Sequence, residues 1–283
     1  MNPSAIRHPQ SAIGRLLPWA AGPILIVAIL AIQAALFSRM LGTIETKRAE
    51  PSLEQLSPLI TRIESGQAAP AEAVSLVAKC RAALERIEPV LERAVARDSS
   101  NGWAYWLLSK AHMYDAVVAA ARKDSPGRDA HLAKAEELAH RGALRFNSVG
   151  CFKQLASICL RQERIGDAET YLQIVTRVKP DDIEAAERLG LIKLTLKKWD
   201  DLRPLCEQIL EKHPYSANAY FYKAFIAQEE NNDNDRYVYT REAYLMMRQN
   251  TSEIFFNRAN LKQYAITLKV AEALQDEGSR PSP

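Results

Sequence analysis

Apolar and small residues recur along the second half of the chain with a period of 34 residues. When each copy is numbered from 1, position 8 holds a small residue every time, namely Ala156, Gly190 and Ala224. Position 27 holds Val175 in the first copy and Ile209 in the second. The copies cover Val149 to Asp182, Ile183 to Ser216 and, less regularly, Ala217 to Asn250. A fixed period of this length predicts a stack of similar structural units.

Each copy has the pattern of two antiparallel helices. The small residue at position 8 is expected to let the first helix lie close to the second, where positions 20 and 27 form the facing surface. Pro180 and Pro214, both at position 32, end the second helix because proline lacks an amide donor and its ring clashes with the preceding turn. One such pair cannot bury its apolar face alone, so neighbouring pairs must stack.

This pattern resembles the tetratricopeptide repeat (TPR), most clearly over residues 149–216. The resemblance implies an all-α fold, a TPR-like α-solenoid covering residues 70–250, with an inner surface formed by the first helix of each pair. The third copy fits less well, because Lys223 and Arg236 stand where apolar or small residues are expected.

A further repeat precedes these copies and carries an insertion. Gly102 fits position 1, which puts Tyr105 and Ser109 at positions 4 and 8. The breaker segment 123–127 delays the second helix, which is predicted from about residue 129 to residue 146. This unit is therefore about ten to fourteen residues longer than the others, and inserts of this kind usually lie at one rim of a repeat array.

Both ends of the array carry additional helices. In residues 70–98, Pro89 predicts either a kink or a fresh helix start, so the segment is a degenerate helix pair or one long bent helix. Thr251 or Ser252 caps a last helix over 251–275, which would cover the end of the solenoid before a short tail, 276–283. The apolar stripe of the first segment consists of Val77, Cys80, Leu84, Ile87, Leu91 and Ala94.

The N-terminal part contains a candidate membrane segment. Leu16 to Phe37 is a run of 22 residues without a charged side chain, enough for a helix to cross a hydrocarbon core of about 30 Å. A signal peptide is the alternative, but the run exceeds the usual apolar length of about 7–15 residues and no clean cleavage site follows it. We expect an uncleaved transmembrane helix over 16–38, between an N-terminal tail (1–15) and a linker with one short helix (39–69).

Flanking charges nearly balance across this segment. Arg7 and Arg15 precede it, whereas Arg39, Lys47 and Arg48 follow it and are diluted by two glutamates. Because a short N-terminal tail usually stays in the cytoplasm, the interpretation we favour puts the repeats on the periplasmic or external side.

Composition and motifs argue against several functional classes. The formal net charge is +3, and Arg7 and Arg15 account for two of these charges, which leaves the body near neutrality. Nucleic-acid binding needs a clustered basic face and is not expected. The sequence has no phosphate-binding glycine loop, no nucleophile motif and no pair of histidines four residues apart, so we expect no enzymatic activity, no cofactor and no metal site. The cysteines lack C-x-x-C spacing and are expected to be core thiols: Cys80, Cys151, Cys159 and Cys206.

The TPR resemblance places a partner-binding groove along the first helices. Aromatic side chains supply much of the binding energy in such grooves, although aromatic stripes at helical spacing also pack between repeats, and that alternative stays open. The family's dicarboxylate clamp for chaperone tails is not reproduced, because Ser157 replaces the expected asparagine. The candidate groove residues are Trp103, Trp106, Lys110, Lys153, Arg161, Phe221 and Phe225.

Two functions fit a tethered array of this kind. The first is a membrane-anchored adaptor or accessory subunit that docks a protein partner onto a membrane complex. The second is a holdase or assembly factor that transiently binds client proteins near the membrane or a secretion channel. A cell-envelope glycan regulator is disfavoured, because the metal-binding knuckle that such proteins carry after their repeats is missing from the cysteine-free tail.

Overall fold

The structure, a computed structural model, describes residues 17–66, 68–145 and 149–249, and the side chains within them except those of residues 17–26, 70, 248 and 249. Over this part of the chain the fold is all-α, as the sequence predicts, and no strand is present. The predicted tails 1–15 and 276–283 and the predicted last helix 251–275 lie outside the described residues. The helices are α1 (Leu17–Glu54), α2 (Ser57–Glu64), α3 (Pro70–Arg97), α4 (Gly102–Ala121), α5 (Ser125–Ala143), α6 (Val149–Arg161), α7 (Ile165–Val178), α8 (Ile183–Thr195), α9 (Trp199–Lys212), α10 (Ala217–Glu229) and α11 (Asp233–Gln249).

The chain forms two compact units, Met1–His131 and Leu132–Pro283, here called unit 1 and unit 2. In unit 1, α1 and α2 pack against α3 and α4. α3 is one helix that runs through Pro89 without a fresh start, so the single-helix alternative is correct. Its buried stripe includes Cys80, Leu84, Leu91 and Ala94, as the spacing predicts.

The predicted linker is wrong between residues 39 and 54, because α1 continues through it as regular helix. Its buried positions recur at steps of four and three, at Gly42, Thr46, Ala49 and Leu53, and this is the periodicity of a helix packed on one side. Because glycine and threonine occupy two positions of this stripe, the pattern of apolar residues alone does not predict the helix. A β-carbon at Gly42 would lie 3.0 Å from the Ala94 carbonyl oxygen, so α1 approaches α3 closely here.

Unit 2 contains three consecutive helix pairs with the predicted spacing. The first helices begin at Val149, Ile183 and Ala217, each 34 residues after the last. α7 ends two residues before Pro180 and α9 ends two residues before Pro214, as the proline pattern predicts. The pairs share a core in which the fully buried side chains come from both helices of a pair and from its neighbours: Cys159, Ala168, Leu172, Val175, Ala185 and Ala219.

The turn inside each pair has a repeated backbone conformation. At repeat position 15, φ is 61° at Glu163, 53° at Lys197 and 55° at Asn231, all in the left-handed region. The following amide then donates to the carbonyl five residues before it, as Arg164 does to Cys159 at 2.8 Å. This is the hydrogen bond of a Schellman motif, which ends the first helix without needing proline.

The insertion and the small residue at position 8 both differ from expectation. The helix after the breaker begins at Ser125 rather than near 129, and the extra residues lengthen the helices: α4 has 20 residues and α5 has 19, against 13 and 14 in the next pair.

The space left by Gly190 at position 8 is taken by Tyr222 from the next repeat, not by the second helix of its own pair.

Candidate functional site

α1 joins a solvent-exposed apolar stretch to a packed one. By length and composition, Val27–Glu54 includes a stretch apolar enough to cross a membrane. From residue 27 to Phe37 every side chain is exposed, with Val27 at 66 % and Phe37 at 58 %. Packing begins at Ser38, whose hydroxyl donates to the Arg97 carbonyl oxygen at 3.1 Å. The boundary between the two environments thus falls at the end of the predicted span.

The packed half of α1 bonds to the start of α4. Asn101, the N-cap of α4, accepts a hydrogen bond from the Ala104 amide and donates from Nδ2 to Thr46 Oγ1 at 3.2 Å. Two residues on, the Trp103 indole Nε1 donates to Glu50 Oε1 at 3.1 Å. Trp103, a predicted groove residue, is therefore held against α1.

The same arrangement joins the first helices of unit 2. From position 5 of α6, Lys153 Nζ donates to the α8 N-cap, Asp182 Oδ1, at 3.3 Å and to Glu184 at 2.5 Å. From position 5 of α8, Glu187 accepts from Ser216 Oγ at 2.6 Å and from Asn218 Nδ2 at 2.8 Å. In each case position 5 contacts the N-cap and position 2 of the following first helix, as Glu50 of α1 contacts Trp103. These polar side chains connect successive repeats.

The remaining predicted groove residues divide between the units. In unit 1, Lys110 Nζ lies 5.5 Å from the centre of the Trp106 ring, a cation–π contact. In unit 2, the rings of Phe221 and Phe225 meet edge to face with centroids 4.7 Å apart, and both are half-buried, while Arg161 is exposed. Their role in binding stays a prediction.

Exposed leucines also lie on the first helices of unit 2. Leu160 at position 12 of α6 is 38 % exposed, and Leu191 at position 9 of α8 is 50 % exposed. Phe225 occupies the position of Leu191 one repeat later. Successive first helices of unit 2 therefore present apolar side chains, and these are the helices along which the TPR resemblance places its groove.

Unit 1 contains a cavity of about 620 Å³ between α1, α2 and α3. Its apolar lining includes Leu56, Ile87 and Val90. Four cationic side chains and one acidic side chain also line it: Arg48, Lys79, Arg86, Arg93 and Glu45. Glu45 forms ion pairs with two arginines: its Oε1 lies 3.5 Å from Arg93 Nε and its Oε2 lies 3.5 Å from Arg97 Nε. Sequence patterns do not predict this cavity, because it depends on α1 continuing as a helix past residue 38.

A cluster of histidine and acidic residues also lies in unit 1. Donor atoms of His112, Asp115 and His131 all lie within 4.8 Å of one another. Behind them on α3, Glu88 Oε1 is 3.3 Å from His112 Nδ1. Burial, and then the hydrogen-bonded carboxyl of Asp115, raises the pKa of Glu88 to about 9. Sequence spacing missed this cluster because its members come from three helices.

All four cysteines are free and buried, which confirms their prediction as core thiols. Burial raises the pKa of Cys151 and Cys206 to about 12 and, in spite of the nearby Arg164, that of Cys159 to about 11. Thiolates are the reactive form of cysteine, so these side chains act in packing rather than in redox or nucleophilic chemistry at neutral pH.

No protein-family model and no curated protein sequence matches the chain. Among solved structures, the chain is similar to YrrB, described as a TPR protein with an unusual peptide-binding site, at 16 % identity and a TM-score of 0.45, over 69 % of this chain and 95 % of that one. It is also similar to MamA, at 14 % identity and a TM-score of 0.49, over 62 % of this chain and 95 % of that one. The assignment of a repeat architecture rests on the helix spacing and packing of this chain itself.

Proposed function

We propose that this protein is a membrane-tethered scaffold that docks a protein partner on the first helices of its repeats, as an adaptor or accessory subunit of a membrane-associated complex. The repeats are proposed to lie on the periplasmic or external side. The observation that carries the tether is α1, whose exposed apolar part and packed part form one uninterrupted helix.

A continuous helix suits a scaffold better than a flexible linker would. Beyond Ser38, α1 is fixed to α3 by the close approach at Gly42 and to α4 by Thr46 and Glu50. A membrane segment that continues into the packed unit limits the orientations that the unit can adopt. The tether is therefore proposed to hold unit 1 in a restricted orientation at the membrane.

The proposed docking surface is the row of apolar side chains on the first helices of unit 2. Leu160 and Leu191 are exposed and Phe225 is half-buried. The charged neighbours Lys153 and Glu184 neutralise each other locally. We therefore propose an amphipathic helix or an extended segment of one partner protein, bound through apolar side chains, as the occupant.

The aromatic side chains favour the adaptor over the holdase. Binding of many unfolded clients calls for open, adaptable apolar surface. Here Trp103 is hydrogen-bonded to Glu50, and Phe221 packs on the core beside Tyr222 with Phe225 against its edge. Fixed aromatic positions suit one partner of defined shape.

Topology is tested by a reporter fused after Pro283 and expressed with the whole chain. A reporter that is active only on the periplasmic or external side is expected. A cytoplasmic reporter signal would overturn the proposed side, and a chain that washes off membranes at alkaline pH would overturn the tether.

Docking is tested by photo-crosslinking at Leu191, with Val178 as the matched control. Both are apolar and exposed, at 50 % and 62 %, but Val178 lies on the second helix α7. A single crosslinked species of constant mass is expected from position 191 and not from 178. Co-purification of that species should be lost in Leu191→Asp and kept in Val178→Asp. Equal crosslinking from both positions, or retention of the partner by Leu191→Asp, would contradict docking on the first helices.

A further inference from the structure

His112, Asp115 and His131 form a compact donor set on two neighbouring helices of unit 1. His112 and Asp115 are three residues apart on α4, so they share one helix face. His131 is on α5, and its ring centroid is 5.7 Å from that of His112. All three side chains are partly buried, which limits competition from bulk water.

The distances are close to those of a metal site. The three donor atoms lie within 4.8 Å of one another. A tetrahedral zinc ion with bonds of about 2.0–2.1 Å holds its donors about 3.3–3.4 Å apart. The donors must therefore close by at most about 1.5 Å, a shift on the scale of a side-chain rotation.

Glu88 lies where such sites place an outer contact. Its Oε1 lies 3.3 Å from His112 Nδ1, from the side of α3. When Nδ1–H of a ligating histidine donates to a carboxyl or carbonyl oxygen, the ring orientation is fixed and the Nε2 lone pair is left as the metal donor. Glu88 therefore stands where its carboxyl oxygen can take up this orienting role when the His112 ring turns toward a bound metal.

We propose that His112, Asp115 and His131 bind a divalent first-row transition metal, with Zn²⁺ as the preferred ion and a water molecule at the remaining position. Two imidazoles and one carboxylate suit zinc better than Ca²⁺ or Mg²⁺, which take mainly oxygen ligands. The ion would connect α4 to the start of α5, the lengthened helix pair. This inference is independent of the proposed partner surface, because it concerns different residues in a different unit.

Zinc binding is tested on the full chain in detergent, purified through a tag without histidine or cysteine and stripped with a chelator. Titration calorimetry with ZnCl₂ is expected to give one ion per chain, and zinc should raise the thermal midpoint. His112→Ala, His131→Ala and Asp115→Asn should each weaken binding by at least about tenfold. Glu88→Ala, which removes the acceptor oxygen beside His112, should weaken it by about 10–100-fold while keeping one ion per chain.

The matched control is His140→Ala, because His140 is also on α5 but is half exposed beside Glu136. This variant should bind zinc as the wild type does. Circular dichroism identifies any variant that fails to fold. If a histidine variant fails to fold, Asp115→Asn, which keeps the side-chain volume, takes its place in the test. Absence of zinc binding by the wild type would overturn the proposal, as would wild-type affinity in His131→Ala or an equal loss in His140→Ala.

Discussion

A β-carbon at Gly190 would lie 2.5 Å from Cε2 of Tyr222, the residue that follows it by 32 positions. Tyr222 cannot easily withdraw, because it is 3 % exposed and its hydroxyl donates to the Glu187 carbonyl oxygen at 2.8 Å. The small residue at repeat position 8 thus makes room for the first helix of the next repeat.

Gly190→Ala is expected to destabilise the protein by about 1–3 kcal/mol, since the added methyl group overpacks a rigid contact. The midpoint of urea unfolding measures the effect. Gly166→Ala is the control, because nothing lies within 4 Å of the β-carbon it would add in α7. Helix propensity predicts that this control is neutral or stabilising by up to about 1 kcal/mol, so equal losses in both variants would refute the packing explanation.

Glu187 is expected to make stability depend on pH. Its burial raises its pKa, despite hydrogen bonds from Ser216 and Asn218 that act in the opposite direction. The folded state therefore binds a proton more tightly than the unfolded state, whose glutamate pKa is about 4.3. The stability that this group contributes is fully present below the unfolded pKa and is lost as pH rises through the folded pKa.

The measurement is the free energy of unfolding of the wild type minus that of Glu187→Gln, from about pH 4 to pH 7. This difference should decrease as pH rises, because the glutamine side chain does not titrate. A difference that stays constant or increases would contradict a raised pKa in the folded protein.

The left-handed turns offer a stabilising change. Glu163 has a φ of 61° and carries a β-carbon, and that conformation costs a non-glycine residue about 1–2 kcal/mol. Glycine removes this cost but loses about 0.5–1 kcal/mol through its freedom in the unfolded chain. Glu163→Gly should therefore raise stability by about 0.5–1 kcal/mol, measured by thermal unfolding. Asn231→Gly should gain less, because asparagine tolerates this conformation; a larger gain there would contradict the explanation.

Lys193 and Glu169 form an ion pair with both side chains only 8 % exposed. Lys193 Nζ also lies 2.9 Å from Asp201 Oδ2, and Lys198 approaches Glu169 from the other side at 2.7 Å. Lys193→Met should lower the free energy of unfolding by about 1–3 kcal/mol. The buried Glu169 carboxylate then loses one of the two lysines that offset the cost of burying its charge. The control Lys134→Met breaks the exposed pair with Glu137 and should change stability by less than about 0.5 kcal/mol. Similar losses from both would argue against a special role for burial.

The bond from Trp103 to Glu50 tests whether α1 is energetically part of the solenoid. A double-mutant cycle with Trp103→Phe and Glu50→Ala should give a coupling energy of about 1 kcal/mol, the net value of one partly exposed hydrogen bond. Chemical unfolding, followed by circular dichroism, provides all four free energies. A coupling near zero would mean that α1 can leave α4 without energetic consequence.

Local signals in the sequence were sufficient for the repeat. Helix ends before Pro180 and Pro214, the starts at Val149, Ile183 and Ala217, and the buried cysteines all follow from spacing, proline chemistry and small apolar residues. The helix through residues 39–54 is not predicted from the sequence, because Gly42 and Thr46 interrupt an otherwise regular apolar stripe.

The sequence by itself determined the all-α fold, the 34-residue period and the apolar segment near the N-terminus, because each depends on residues close together in the chain. Tertiary structure alone decided that α1 runs on as a packed helix, that Gly190 faces Tyr222, and that His112, Asp115 and His131 meet beside Glu88. These relations join residues on different helices, and only the packing of those helices sets the distances between them.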